Sequence, residues 1–130
     1  SITEMPGASE FFRGGVIAYH DDVKRQLLKV RREAVEEVGA VSEPVAQQMA
    51  LGVRAALSAD YGIGITGIAG PGGGTPEKPV GLVFICVSSA AGDLVRKFSF
   101  TGGREEVRRQ AVAASLELLQ EKLAADNTTV

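Results

Sequence analysis

The sequence is poor in the residues that build disulfides, metal sites and aromatic clusters. Its 130 residues include one cysteine, Cys86, one histidine, His20, and no tryptophan. A single cysteine cannot form an internal disulfide, and Cys86, inside an apolar run, is interpreted as a small buried hydrophobe. No group of His, Cys, Asp and Glu has the spacing of metal ligands, so we expect neither a metal nor another cofactor. No apolar run approaches the roughly 20 residues that span a bilayer, so we expect no membrane contact.

An excess of one sign of charge is also absent. The chain carries 14 Lys and Arg against 16 Asp and Glu, which gives a net charge of −2 at pH 7. Because nucleic-acid-binding domains are usually basic, we expect no nucleic-acid partner. The basic run over residues 24–32 is followed at once by glutamates and is typical of a solvated helix face. The lone cysteine suits a reducing compartment and no signal peptide is visible, so we expect a cytoplasmic protein.

The length and the apolar fraction are sufficient for one domain. Apolar residues make up 45% of the chain, and a chain of this size buries about two-thirds of its unfolded surface. Short apolar runs predict strands, and apolar residues at helical spacing predict helices. The predicted strands are residues 16–19, 61–66, 82–87 and 94–100. The predicted helices begin at Asp21 and continue over 30–38, begin at Ser42, and run from Arg104 to about Lys122, with a frayed tail over 125–130.

Strands that alternate with helices predict an α/β fold with helices on both faces of the sheet. The wholly apolar run 82–87 indicates a central strand, and the turn at residues 91–93 joins it to an antiparallel neighbour. We therefore predict a three-layer α/β/α sandwich with a mixed, mostly parallel sheet, in a single domain over residues 1–130. The predicted core side chains are Val45, Met49, Val53, Leu57, Leu82, Phe84 and Leu118.

The most distinctive segment is TGIAGPGGGTPEKPVG at residues 66–81, directly after a predicted strand. Open α/β sheets bind ligands at the carboxyl ends of their strands. Successive glycine amides can form an anion site or an oxyanion hole. The alternative is a connection that is rich in glycine for turn reasons alone, and composition does not decide between the two. The segment matches neither a P-loop nor a dinucleotide fingerprint.

A second candidate is Tyr19 at the end of a predicted strand, with Lys24 in the first turn of the following helix. A lysine in that place meets the positive end of the helix dipole, which disfavours its charged form. Such a lysine can serve as a general base. From the residues alone, an ordinary lysine on an exposed helix is the simpler interpretation.

Four strings in order resemble the C-terminal domain family of the bacterial CinA (competence/damage-inducible) proteins. They are PGASEFFRGGVIAY followed by Lys24, GAVSEPVAQQMALGVR, TGIAGPGGGTPEKPVGLVFICV and FTGGREEVRRQAV. The resemblance covers nearly the whole chain. It implies an amidohydrolase that converts nicotinamide mononucleotide to nicotinic acid mononucleotide and ammonia, in pyridine-nucleotide recycling, by a serine–lysine mechanism.

The resemblance also implies roles for individual residues. Lys24 matches the family lysine, Tyr19 the tyrosine near it, and Thr66 a residue that holds the amide. The implied substrate-binding residues are Gly67, Gly70, Gly72, Gly73, Gly74, Arg104 and Arg108, the two arginines as candidates for the phosphate. The family's nucleophilic serine belongs to an ESCTGG-type segment that falls before Ser1. We therefore expect that the first strand and the nucleophile precede this chain, and that residues 1–130 alone release no ammonia.

The alternative function is a non-catalytic nucleotide-binding or protein-interaction domain of a competence/damage-inducible protein. The expected partner is a small-molecule nucleotide in the first and favoured interpretation, and the sequence leaves a homo-oligomer open. His20 stands where many relatives carry serine, and we interpret it as a surface residue beside the helix cap. Ammonia release from nicotinamide mononucleotide separates the two functions.

Overall fold

The structure, a computed structural model, describes residues 2–4, 6–18, 21–28, 31 and 39–128. Two short 3₁₀ turns, Ile2–Glu4 and Ala8–Glu10, come first. The helices are α1 (Asp21–Leu28), α2 (Glu43–Ala56) and α3 (Arg104–Thr128), and the strands are β1 (Gly62–Gly67), β2 (Leu82–Ser89) and β3 (Gly92–Ser99). The predicted helix over residues 30–38 lies outside the described residues, except for Arg31, which is not helical.

The described strands form one sheet in the order β1-β2-β3. β2 is the central strand, as its apolar run predicted, and Ile85 lies opposite Ile65 on one side and Arg96 on the other. Both pairs are antiparallel. The α/β class is thus confirmed, but the mostly parallel sheet is not found among the described strands. The physical reason is that parallel neighbours need a long crossover, usually helical, whereas a helix-free loop joins β1 to β2 and a tight turn joins β2 to β3.

The two long helices pack on opposite faces of β2, because side chains alternate along a strand. Val83, Ile85 and Val87 pack with the apolar stripe of α3. Phe84 and Cys86 lie on the other face, with Ala46 and Ala50 of α2. Burial raises the pKa of Cys86 to about 12, so its thiol stays protonated at neutral pH. Cys86 is therefore the buried hydrophobe that was predicted.

Glycine lets α2 lie directly on β1. A Cβ at Gly62 would meet the Cβ of Arg54 at 2.9 Å, and one at Gly64 would meet the amide nitrogen of Ala50 at 2.7 Å. Any larger side chain would therefore push the helix away from the strand. The close approach places the start of α2 beside the carboxyl end of β1, where the glycine-rich connection begins.

The predicted core is confirmed in part. Val45, Met49, Leu82 and Leu118 are buried, whereas Val53, Leu57 and Phe84 are only half-buried. Met49 and Val45 are covered by Val16, Ala18 and Val53. Val53 and Phe84 lie at the margin of the clusters, and Leu57 belongs to none of those described. Helical or strand periodicity alone cannot distinguish a central position from a peripheral one.

Two further expectations are corrected at the ends of the chain. Val16, Ile17 and Ala18 of the first predicted strand are not in a strand, and the side chain of Ile17 is 92% exposed. An apolar run becomes a buried strand only where a neighbouring strand pairs with it. The described strands β1, β2 and β3 pair with one another and not with residues 16–18. At the other end, α3 continues to Thr128, beyond the predicted limit near Lys122, because its last turns make tertiary contacts. No described helix is long and apolar enough to cross a membrane.

Candidate active site

The connection between β1 and β2, residues 68–81, is called the glycine loop below. Hydrogen bonds close its base: the Gly81 amide donates to the Ile68 carbonyl at 2.7 Å, and the Ile68 amide donates to the Leu82 carbonyl at 2.9 Å. A tight turn lies within it, where the Thr75 amide donates to the Lys78 carbonyl at 2.9 Å and the Lys78 amide donates to Thr75 Oγ1 at 3.0 Å. The loop therefore has a defined shape at its base and in this turn.

The first half of the glycine loop presents unpaired backbone donors. Within the described part of the chain, the amides of Ala69, Gly70 and Gly72–Gly74 donate to no protein acceptor. Gly70 and Gly73 adopt left-handed φ angles of 84° and 89°, which favour glycine. A Cβ at Gly70 would also lie 2.6 Å from Val80 Cγ1. Neighbouring free amides of this kind can bind an anion or a developing oxyanion.

The structure brings Arg104 to this loop. Its Nη1 donates to the Gly70 carbonyl at 3.0 Å. Arg108 is exposed and lies four residues further along α3, so both arginines occupy one face of the helix. Of the predicted substrate-binding residues, Arg104 is thus joined to the glycines by a direct contact, and Arg108 adjoins it.

Gly67 differs from the other predicted glycines because it belongs to β1. A Cβ there would lie 2.7 Å from Val83 Cγ2, so this glycine allows β1 and β2 to meet closely where the glycine loop begins. Gly72 has open space around a built Cβ, and Gly74 does not, because its Cβ would lie 2.8 Å from the Val80 amide nitrogen.

Thr66 is buried at the end of β1. Its Oγ1 donates to the Ala40 carbonyl at 2.7 Å, and Ser42 Oγ donates to the Gly39 carbonyl at 2.9 Å. The turn that precedes α2 is thus attached to the strand that leads into the glycine loop. Because the hydroxyl proton of Thr66 is given to Ala40, its oxygen is left as an acceptor for a ligand N–H group.

Lys24 is buried, with 7% of its surface exposed, and so does not extend into solvent. Its Nζ donates to the Ala18 carbonyl at 3.0 Å, and α1 packs against α2. The contact described for Lys24 therefore lies in the segment before α1. By its match to the family lysine, we expect Lys24 to point toward residues 70–75, and this orientation is a prediction. Tyr19 lies outside the described residues, so its distance from Lys24 stays a prediction as well.

Sequence reasoning did not single out Lys78. A Cβ at Gly39 would lie 3.0 Å from Lys78 Nζ, so this side chain reaches from the glycine loop to the turn before α2. The only signal was its position in the EKPVG part of the family string. With the Thr66–Ala40 bond, it makes residues 39–42 a neighbour of the glycine loop.

A polar cluster at the opposite end of the sheet was also missed. Asp126 accepts hydrogen bonds from Tyr61 Oη at 2.8 Å, Ser89 Oγ at 2.7 Å and Lys122 Nζ at 2.8 Å. The Lys122 hydrogen bond, followed by that from Ser89, lowers the pKa of Asp126. The bond to Asp126 also raises the pKa of Tyr61. The ends of β2 are about 24 Å apart at 3.4 Å per residue, so this cluster is separate from the glycine loop.

Groups that could hold a metal were sought among the described side chains. No three His, Cys, Asp or Glu side chains of residues 2–4, 6–18, 21–28, 31 and 39–128 come together in a way that could hold an ion. The chemical means that the described site offers are therefore backbone donors, hydroxyl oxygens and the cations of lysine and arginine.

Comparison with known proteins gives one consistent family. Residues 1–123 match the family model of the CinA C-terminal domain. The CinA-like protein of Desulfotalea psychrophila is 46% identical over 125 residues, covering 96% of this chain and 30% of the relative. That of Thermosynechococcus vestitus is 50% identical, with 94% and 30% covered. The chain therefore spans under a third of the length of these curated relatives.

Solved structures agree with the family match. The competence/damage-inducible protein CihA from Agrobacterium tumefaciens superposes with a TM-score of 0.89 at 40% identity, over 92% of this chain and 73% of that one. The competence damage-inducible protein A (ComA) from Klebsiella pneumoniae gives 0.90 at 34% identity, over 95% and 76%. The fold is thus shared with these proteins.

Proposed function

Because the chain belongs to the CinA C-terminal domain family, we propose that it forms the substrate-holding part of an amidohydrolase site. The substrate is nicotinamide mononucleotide, and the products are nicotinic acid mononucleotide and ammonia. The nucleophile is the serine that the family pattern carries before Ser1, and Lys24 is the general base that activates it.

The observation that carries this proposal is the set of glycine-loop amides that donate to no acceptor in the described part of the chain. Hydrolysis of a carboxamide passes through a tetrahedral intermediate with a negatively charged oxygen. Fixed N–H donors stabilise that oxygen, and the loss of one such donor typically costs about 10²–10³ in kcat. The hydrogen-bonded base of the loop holds the amides of Gly70 and Gly72–Gly74 in place before substrate arrives, so little reorganisation accompanies the reaction.

Lys24 takes part in four proton transfers, two in each half of the reaction. As the serine oxygen attacks the amide carbon, the lysine amine accepts the hydroxyl proton. The resulting ammonium gives that proton to the leaving nitrogen, so the C–N bond breaks, ammonia departs and an acyl-serine remains. A water molecule then attacks the ester carbon and gives its proton to Lys24. Return of that proton to the serine oxygen releases nicotinic acid mononucleotide.

Thr66 and Tyr19 complete the reacting end of the site. Because Thr66 donates its own proton to the Ala40 carbonyl, its oxygen is suited to accept a hydrogen bond from the carboxamide NH₂ of the substrate. That contact would orient the amide for attack. Tyr19 matches the family tyrosine, and its proposed role is to orient the lysine amine.

The phosphate of the substrate needs a cation at a distance from the reacting amide. The first turns of α3 supply it, since Arg108 is exposed on the helix face that adjoins the glycine loop. An arginine guanidinium can bind a phosphate through two parallel hydrogen bonds. The site then has an amide-recognising end at Thr66 and Lys24 and a phosphate-recognising end at α3.

The test compares residues 1–130 with a version extended upstream through the family serine. Ammonia release from nicotinamide mononucleotide is expected from the extended protein, and not from its serine-to-alanine variant or from residues 1–130. Calorimetry should nevertheless detect saturable binding of nicotinamide mononucleotide to residues 1–130.

Two outcomes would contradict the proposal. Saturable binding without ammonia release by the extended protein would favour the non-catalytic nucleotide-binding domain. Equal rates from both proteins would place the nucleophile within residues 1–130, with Ser42 and Thr66 as the first candidates.

A further inference from the structure

We infer that Arg104 is a positioning residue that fixes the shape of the glycine loop, and that the phosphate contact falls to Arg108 alone. Arg104 and Arg108, which the sequence patterns do not distinguish, thus have different roles. The inference rests on the proposed function only for the identity of the ligand, and its structural part concerns the loop by itself.

The contact of Arg104 is with the point of the loop that has the least freedom. Its Nη1 donates to the Gly70 carbonyl at 3.0 Å. Gly70 is buried and left-handed, and Val80 occupies the space where a Cβ would stand. A hydrogen bond from a charged donor to a buried carbonyl is stronger than one between neutral groups. The bond therefore fixes the direction of the peptide that precedes the free amides of Gly72–Gly74.

The element that carries Arg104 is itself immobilised. Val107 and Ala111, one and two turns further along α3, are buried against β2. The Phe100 amide donates to the Gly81 carbonyl at 2.8 Å, so the segment just before α3 also holds the base of the glycine loop. The first residue of α3 thus touches the loop at Gly70, and the connection from β3 to α3 touches it at Gly81. A rotation of the loop would break both contacts.

The same bond limits what Arg104 can offer to a phosphate. End-on binding of a phosphate uses both Nη atoms of the guanidinium as a fork. Because an N–H of Arg104 Nη1 is directed at the Gly70 carbonyl, the guanidinium is held in one orientation, toward the loop, and cannot turn toward a phosphate elsewhere without breaking this bond. Arg108, one turn further on the same helix face and exposed, keeps its fork for the ligand.

The experiment uses residues 1–130 and three variants, Arg104→Gln, Arg104→Lys and Arg108→Gln. Calorimetry measures the affinity of each for nicotinamide mononucleotide and for nicotinamide riboside, which lacks the phosphate. Hydrogen exchange of the Gly81 and Ile68 amides, which close the loop base, reports on the unliganded loop. The ¹³C shift of the Gly70 carbonyl reports on the Arg104 bond directly.

We expect Arg104→Gln to weaken both ligands by the same factor, to move the Gly70 carbonyl shift and to speed loop exchange by about fivefold. Arg104→Lys, which keeps a charged donor, should restore part of each effect. Arg108→Gln should weaken the nucleotide by about tenfold, leave the riboside affinity within twofold and leave loop exchange unchanged.

Loss of nucleotide affinity alone in Arg104→Gln, with unchanged exchange and an unchanged Gly70 shift, would overturn the inference. If the unaltered chain binds neither ligand, the proposed function fails. The exchange rates and the Gly70 shift then still decide whether Arg104 positions the loop.

Discussion

The two ends of the sheet differ in how their polar groups are hydrogen-bonded. At the glycine-loop end, backbone amides of Gly70 and Gly72–Gly74 have no acceptor among the described residues. At the other end, Tyr61, Ser89 and Lys122 all converge on Asp126. Donors without a protein acceptor add little to the stability of the fold, and they remain available to a ligand. The Asp126 end instead pairs its side-chain groups with one another and attaches the last turns of α3 to the sheet.

The largest effects are expected when two buried lysines, Lys24 and Lys122, are replaced one at a time. Lys24 and Lys122 are 7% and 6% exposed. In the extended protein, Lys24→Ala should lower ammonia release by 10²–10⁴-fold, the usual contribution of a general base, with a small change in unfolding free energy. Lys122→Met should leave ammonia release nearly unchanged and lower the free energy of unfolding, because it removes the cation that pairs with Asp126. Steady-state rates and urea unfolding measure both, and a Lys24→Ala variant that keeps more than about a tenth of the rate would remove lysine as the base.

Two glycines in the same loop sharpen the comparison at the backbone level. Gly70 is left-handed and its Cβ would meet Val80 at 2.6 Å, whereas a Cβ at Gly72 meets nothing within 4 Å. Gly70→Ala should therefore lower the free energy of unfolding by about 2 kcal/mol, from left-handed strain and overpacking. Gly72→Ala should change it by less than about 1 kcal/mol, in the stabilising direction. Equal losses in the two variants would show that the loop is not held in the described shape.

The Asp126 end makes a smaller, pH-dependent prediction. The hydrogen bond from Lys122 lowers the pKa of Asp126. The folded state therefore favours the carboxylate more than the unfolded state does. The stabilisation is complete above the unfolded-state pKa near 3.9 and is lost as the pH falls through the lower folded-state pKa. Asp126→Asn should lower the thermal midpoint at pH 7.

The difference between Asp126→Asn and the unaltered chain should shrink at acidic pH, in thermal melts read by circular dichroism. Glu121→Gln is the matched control, because Glu121 pairs with Arg96 at the exposed surface, where both side chains are about half exposed. Exposed pairs contribute little, so its midpoint should move less than that of Asp126→Asn. A larger shift in Glu121→Gln would contradict the assignment of the Asp126 cluster as the attachment point of α3.

Local patterns predicted the parts of this molecule that local chemistry determines. The apolar run of β2, the stripe of α2 and the glycine loop were all readable, because their periodicity and glycine content reflect nearby atoms. The Asp126 cluster was not, since Tyr61 and Asp126 are 65 residues apart and the tail looked like a frayed end. The exposure of Ile17 was not predicted for a related reason. An apolar run does not reveal whether another strand pairs with it.

The site was predictable to the extent that family strings carried it. The family strings predicted Thr66 and Arg104 as site residues. In the structure they contact the Ala40 and Gly70 carbonyls, at or beside the glycine loop. The direction of each contact was not predictable, and it changes the chemistry. Thr66 donates its hydroxyl proton to the Ala40 carbonyl and so can act toward a ligand as an acceptor. Arg104 donates a hydrogen bond from Nη1 to the Gly70 carbonyl. Such choices depend on backbone carbonyls, which sequence patterns do not display.

The most direct test of the central claim is to observe the loop amides while ligand binds. With ¹⁵N in the 16 glycines of residues 1–130, titration with nicotinamide mononucleotide should give saturable shifts at Gly70, Gly72, Gly73 and Gly74. Gly92, the first residue of β3 at the Asp126 end, is the internal reference and should not move. Shifts that are absent from the loop, or as large at Gly92 as at Gly72–Gly74, would contradict the claim that the unpaired amides of the glycine loop hold the substrate.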